Sequence, residues 1–451
     1  MHKRTFLKSS SVLAGGALLF RFVACKPPVN TEHLKNWAGN LAYSTGNVYY
    51  PETLEQVQAI VKKCNKLKAL GSQHSFNKIA DSNENLVSLK DLNKLVALDK
   101  SSNTVTVEAG MKYGELAPYL HQNGYALSNL ASLPHISVAG ACATATHGSG
   151  VKNGNLSTAV SAIEFVNAAG DVITLSRSKD GDQFYGAVVG LGALGIVTKV
   201  TLDLLPTFNM KQVVYRNLPM SELKNNFDDI QSRGYSVSLF TDWKNKNINE
   251  VWIKSRVESG NITPAHLELY GAKLATKNLH PVEDQSAETV TDQMGIAGPW
   301  YERMPHFKMG FKPSTGKELQ SEYFVPIEHA YEAMMAIEEM HEQITPHLFI
   351  SEIRTINADS FWMSPCYKKT CVTFHTTWKQ DGDTVMKLLP IMEEKLAPFN
   401  PIPHWAKLFT IPPKVLQLRH EKLPAFKQLA NRYDPKGKFR NEFLDKVLYN
   451  S

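Results

Sequence analysis

The sequence predicts an α+β protein built as two domains. The chain has 451 residues, more than one compact core ordinarily fills. Its 43% hydrophobic and 20% charged content is that of a globular chain, not a disordered one. Short apolar runs alternate with helical-period segments, and stretches of glycine and other small residues crowd the first half and stop near residue 206. The expected divisions are a leader over residues 1–29, a domain over 30–206, a second α+β domain over 207–400 and a closing segment over 401–451.

The leader opens with the basic run Met1-His-Lys-Arg-Thr-Phe-Leu-Lys, followed by the apolar run from Ser9 to Phe20, which Arg21 breaks. That run is shorter than the roughly 20 residues that span a bilayer and fits the apolar core of an export signal. Lys3-Arg4 followed by Thr-Phe-Leu-Lys resembles a twin-arginine signal with lysine in place of the first arginine. Phe22-Val-Ala-Cys25 resembles a loose lipobox, which makes Cys25 a candidate for lipidation; an ordinary cleavage site close to it is the alternative. The expectation is an exported, monomeric bacterial protein, periplasmic or anchored by a lipid at Cys25.

In the first domain, Leu54, Val57, Ile60 and Val61 recur at helical spacing after Thr53, a suitable N-cap. Leu86-Val-Ser-Leu, Val96-Ala-Leu and Thr104-Val-Thr-Val read as short strands, the last with a clear period of two. A short helix is expected from Tyr113, a hairpin around Ala169-Gly-Asp within residues 162–175, and a strand after Leu194. In the second domain Ser236-Val-Ser-Leu-Phe reads as a strand, residues 329–341 as a long helical stretch, and residues 258–293 as polar and rich in loops.

Net charge is +6 with no basic cluster, which sets nucleic-acid binding aside. Cys64, Cys142, Cys366 and Cys371 match no zinc spacing, and no metal site is expected. Cys366 and Cys371 are close enough in sequence to pair, though buried, inert thiols are the preferred reading. Two small-residue stretches stand out. Gly71-Ser-Gln-His-Ser holds a histidine in a turn, and residues 132–150 run Ser-Leu-Pro-His-Ile-Ser-Val-Ala-Gly-Ala-Cys-Ala-Thr-Ala-Thr-His-Gly-Ser-Gly. Such residues let backbone N–H groups approach an anion. Neither stretch has the spacing of a Rossmann fingerprint or a P-loop.

These blocks resemble the vanillyl-alcohol-oxidase type of FAD-linked oxidase, and more narrowly the alditol oxidases. The resemblance continues through Asn129-Leu-Ala-Ser-Leu-Pro-His, Leu191-Gly-Ala-Leu-Gly, Ser236-Val-Ser-Leu-Phe-Thr-Asp-Trp, Gly298-Pro-Trp, Leu319-Gln-Ser-Glu-Tyr, Glu352-Ile-Arg-Thr, His404-Trp-Ala-Lys and Asp434-Pro-Lys-Gly-Lys-Phe. It implies a two-domain FAD-binding fold of the vanillyl-alcohol-oxidase (PCMH) type, with FAD attached covalently through His74. It implies that Leu70, Gly71, Ser72, Gln73, His74 and Ser75 wrap the pyrophosphate. Ser132, Ser137, Gly140, Thr144, Ala145, Thr146, His147 and His404 would contact the cofactor, and Val197 its adenine side. Ala131 matches a small residue that governs the approach of oxygen.

On the substrate side, Glu352 and Arg354 share one face of a strand at i and i+2, and so do His375 and Thr377. Polar groups in a run as apolar as Val372-Thr-Phe-His-Thr-Thr-Trp need partners if buried; the hydroxyls of a polyol could supply them. The resemblance implies that Lys407, helped by His375, takes a hydroxyl proton. Arg354 would hold the reacting oxygen, while Glu352, Thr377 and Ser132 bind the substrate. The expected activity is oxidation of a terminal polyol hydroxyl (xylitol- or sorbitol-like), with O2 reduced to peroxide. Two alternatives stay open: an aldonolactone oxidase or dehydrogenase, and a catalytically silent, exported sugar-binding lipoprotein.

Overall fold

The computed structural model describes residues 34–257, 266–311 and 317–450; the leader and Cys25 lie outside the described residues. Thr53 caps the helix Leu54–Lys63 by accepting from Gln56 N, and Val57, Ile60 and Val61 bury its apolar stripe. A small parallel sheet orders Val48–Tyr49, Leu86–Ser88 and Lys68–Leu70. A five-stranded antiparallel sheet follows, in the order Leu95–Asp99, Thr104–Glu108, Ile196–Asp203, Val160–Val166 and Val172–Ser176. Two of its inner strands, Thr104–Glu108 and Ile196–Asp203, alternate strictly, with Val105, Val107, Val200 and Leu202 inward. The helix Tyr113–Gln122 and the hairpin across residues 167–171 form where the periodicity and the Ala-Gly-Asp turn direct them.

Residues 209–403 build a ten-stranded antiparallel sheet. Its path runs Asn209–Pro219, Asn247–Val257, Ser236–Thr241, Leu348–Ile356, Cys371–Lys379 and Glu318–Pro326, and ends on the edge strand Ile402–Pro403. The helices Leu223–Ser232, Ala330–Glu338 and Gly382–Leu396 pack together on one side. Tyr323 points to that side, donating from its hydroxyl to Glu393 Oε1 at 2.7 Å. Because side chains alternate along a strand, Gln320 and Glu322 point to the opposite face. The helical stretch expected over residues 329–341 is divided: Ala330–Glu338 ends, Met340 adopts a non-helical φ of −94° and ψ of 5° with its side chain buried, and a separate turn runs His341–Ile344.

Residues 275–307 lie over the sheet's other face. Ala275 and Val290 join Val214, Phe240, Trp252 and Ile350 in a buried cluster there. Cys64, Cys142, Cys366 and Cys371 are buried free thiols.

The closing segment reaches both halves. Ile402–Pro403 pairs with Tyr323 and Phe324 of the large sheet, while Leu67 N donates to Lys438 O at 3.0 Å. The buried Lys68 donates to Leu191 O at 3.1 Å, Gly192 O at 3.0 Å and Phe439 O at 3.2 Å, so one ammonium joins strand, glycine turn and C-terminal segment. Lys68→Met leaves these carbonyls without their donor, and urea unfolding should report a loss of about 1–3 kcal/mol.

Candidate functional site

One cavity of about 860 Å3 lies between the two halves, against the helix-free face of the large sheet. The turn that begins at Gly71 forms one wall. Gln73 takes φ +61°, and its carbonyl accepts from Trp37 N at 2.8 Å. Ser75 O accepts from Asn36 Nδ2 at 2.9 Å. The His74 ring lies 4.6 Å from Trp37, centroid to centroid. Burial, followed by the positive charge of Lys407, pushes this imidazole down to about 3, so it is neutral across the ordinary pH range.

The second small-residue stretch comes to the same wall. Cβ atoms built on Gly71 and Gly140 would each press on Ser137 Oγ, at 3.0 and 2.8 Å, so the two bare backbones close around one hydroxyl. That hydroxyl is buried and has no hydrogen-bond partner among the described residues. Ser72 Oγ accepts from Ser137 N at 3.3 Å. An unpartnered donor between exposed glycine backbones fits an anionic group such as a pyrophosphate. Leu70, Ser72, Thr144, Thr146, His147 and Val197 line the same space, as does Ala131 beside Ser132. Ala145 departs from its expected role. It has φ +54° and is buried, and it does not line the cavity; its neighbours Thr144 and Thr146 present their hydroxyls instead.

Three adjacent strands furnish the floor. In register, Glu352 stands opposite His375, and His375 opposite Glu322; one step along, Thr377 stands opposite Gln320. Arg354 Nη2 donates to Glu322 Oε1 at 2.6 Å, Nη1 to Ser132 Oγ at 3.4 Å, and Nε lies 3.6 Å from Glu352 Oε2. His147 Nε2 lies 3.1 Å from Glu322 Oε1, and His375 Nδ1 lies 3.3 Å from Oε2. His375 Nε2 is 3.2 Å from Thr377 Oγ1. His404 N donates to Glu322 O at 2.9 Å, and its ring lies 6.0 Å from that of His147. A Glu322 oxygen and nitrogens of His147 and His404 lie within 4.8 Å of one another. The Arg354 guanidinium already occupies that carboxylate and opposes a metal cation there.

Burial alone would raise the carboxyls of Glu322 and Glu352. His147 and then Arg354 overcome it for Glu322, as Arg354 and then His306 do for Glu352, and both are held well below the usual carboxylate range. Lys407 contacts Gln320 Oε1 through Nζ, which also sits 4.8 Å over the Phe76 ring. Burial lowers this ammonium to about 8, with Glu322 opposing the shift and Arg354 adding to it. The Lys407 turn is knitted to the His74 turn. Phe76 N donates to Ala406 O at 2.7 Å, and Asn77 Nδ2 to Trp405 O at 2.9 Å and Lys407 O at 2.6 Å.

An FAD-binding-domain family matches residues 46–176 and a D-arabinono-1,4-lactone oxidase family residues 311–447. An alditol oxidase from a Streptomyces species is 42% identical over 417 residues, 92% of this chain and 98% of the relative. The chain belongs to the alditol oxidases, within the vanillyl-alcohol-oxidase type of FAD-linked enzymes. L-gulonolactone oxidase from Mus musculus is 25% identical, with 92% and 98% covered. The fold is shared with cholesterol oxidase from Brevibacterium sterolicum (TM-score 0.75, 14% identity, 92% and 96% covered).

In this oxidase, sequence reasoning passed over Gln320, Glu322, Lys254 and His306. Gln320 and Glu322 alternate with Leu319 and Tyr323 in a stretch noticed only as a motif, and Lys254 stands in the apolar run Val251-Trp-Ile-Lys. Period-two reading could have found all three. His306 lies in irregular chain and gives no such signal. Gly140→Val puts a branched side chain where two backbones meet. The variant should fold, by circular dichroism, yet purify without the visible absorbance of flavin.

Proposed function

We propose that this protein oxidises a terminal CH2OH group of an open-chain polyol to the aldehyde, with O2 reduced to H2O2, and that it carries FAD covalently on His74. The observation that carries the reading is the floor itself. Glu352, Arg354, His375, Thr377 and Gln320 present donors and acceptors along one sheet face, and Lys407 faces them from the closing segment, a polar lining suited to a chain of hydroxyls. The balance is RCH2OH + O2 → RCHO + H2O2. When bound, FAD supplies the two-electron chemistry between the alcohol carbon and oxygen.

The residues do the rest. Lys407 titrates near 8, so a usable fraction is free amine at neutral pH and accepts the hydroxyl proton. Arg354 aims a fixed positive charge at the oxygen that loses it. Glu352 and Thr377 hold neighbouring hydroxyls, and His375 bridges Thr377 to Glu322. A neutral His74 keeps a nitrogen lone pair available for bonding to carbon, as covalent attachment needs. The basic start and apolar run before residue 30 support export, with Cys25 as a lipid anchor.

A second reading, oxidation of an aldonolactone, is favoured by the family match over residues 311–447. Peroxide release across a panel of polyols and aldonolactones separates the two; turnover of lactones alone would overturn the polyol reading. Flavin should stay with the precipitated wild-type protein in acid and be released from His74→Ala. Lys407→Met should lower turnover by about 10²–10⁴-fold with the flavin spectrum retained. Because the free amine is the active form, kcat/KM should rise as pH passes through about 8. Glu322 raises the lysine's pKa, so Glu322→Gln should move that limb to lower pH.

A further inference from the structure

Glu352 is held by His306, which lines the same cavity, and His306 in turn by Lys254; the chemistry above uses neither. Lys254, buried on the strand Asn247–Val257, places Nζ 2.6 Å from Met304 O, 3.0 Å from Pro305 O and 3.0 Å from His306 Nδ1. Glu352 Oε1, 2.7 Å from His306 Nε2, belongs to a carboxylate and can only accept, so Nε2 carries the ring proton and Nδ1 accepts from Lys254 Nζ. Burial draws Lys254 down to about 7, yet with three acceptors around Nζ a neutral amine would turn its lone pair toward one of them, and the contacts favour the ammonium. Burial and the adjacent Lys254 push His306 down to about 4, so the ring stays neutral. Ring contacts with Phe240 at 5.5 Å and Trp252 at 5.2 Å fix its plane. The same turn reaches the cofactor wall, because His306 N and Phe307 N donate to Ser132 O at 3.1 and 3.3 Å.

The geometry points to Lys254 and His306 as a tautomer lock on Glu352, which keeps the carboxylate ionised, occupies one of its oxygens and leaves the other for a substrate hydroxyl adjacent to the reacting one. Both are positioning residues. The inference rests on the polyol reading of the cavity and extends it: the lock governs selection of a chain with a second hydroxyl, not the oxidation step. With the opposite tautomer, a ring lone pair would face Glu352 Oε1, and the carboxylate would have to turn away or take up a proton.

The test compares xylitol with the five-carbon diol that has hydroxyls only at its ends, by peroxide release, in the flavin-loaded wild type and in H306F, H306Q and K254M. H306F keeps the aromatic packing and removes both polar atoms. It should raise KM for xylitol by roughly tenfold, the worth of one charge-assisted hydrogen bond, while kcat changes little and KM for the diol is unchanged. H306Q offers an N–H to Glu352 and a carbonyl to Lys254, and should restore most of the xylitol KM. K254M should shift xylitol KM in the same direction as H306F, again without affecting the diol. Equal effects on both substrates, an unchanged xylitol KM, or no recovery in H306Q would overturn the lock. If H306F fails to load flavin, K254M and H306Q decide by the same criterion. A wild type that turns over lactones and no polyol would instead refute the proposed function, a result read before any variant is made.

Discussion

The buried ion pair between Arg354 and Glu322 is the constraint around which the rest is arranged. At 2.6 Å and almost fully out of water, neither charge is tolerable without the other. Glu322 is also the point at which His147, from the glycine-rich half, and His375, from the sheet, converge. Removing one partner of such a pair typically costs about 3–5 kcal/mol, because the charge left behind stays buried. A face that carries Gln320, Glu322, Glu352, Arg354 and His375 would make a poor core. It is stable as a cavity floor because its members satisfy one another laterally and leave selected atoms open above.

The antiparallel sheet makes this arrangement economical. Neighbouring strands in register bring Glu352, His375 and Glu322 into one rung and Thr377 and Gln320 into the next, so distant sequence segments form a row. The opposite face follows ordinary packing, with Ile353, Phe374 and Tyr323 buried toward the helices. The irregular segment 275–307 completes the floor from above, packing Ala275 and Val290 against Trp252 and Phe240 and delivering His306 to Glu352.

What the sequence made legible follows from which physical signals are local. The Thr53 cap, the alternation at Thr104–Glu108 and the hairpin turn at Gly170 are decided within a few residues, and each forms as read. Glu352 with Arg354, and His375 with Thr377, were legible because a period of two places each pair on one face. The same period could place Glu322 on a strand face, but its part as the meeting point of Arg354, His147 and His375 arises only when three strands come into register. Ala145 looked like part of a continuous small-residue contact; its left-handed backbone turns it into the core between two cavity-facing threonines. His306 was invisible because no periodicity governs irregular chain. The break at Met340 interrupts an apolar pattern that continues on both sides of it, so periodicity gave no sign of it.

The hydrogen bonds between the His74 turn and the turn bearing Lys407 span some 330 residues of sequence. A nascent chain therefore exposes its histidine long before the segment that braces it has left the ribosome. Until the segment around residues 404–407 emerges and docks, the cavity lacks Lys407 and one wall. Closure of the cavity is thus tied to a late stage of synthesis: a chain cut short of Lys407 presents the His74 turn without the segment that braces it.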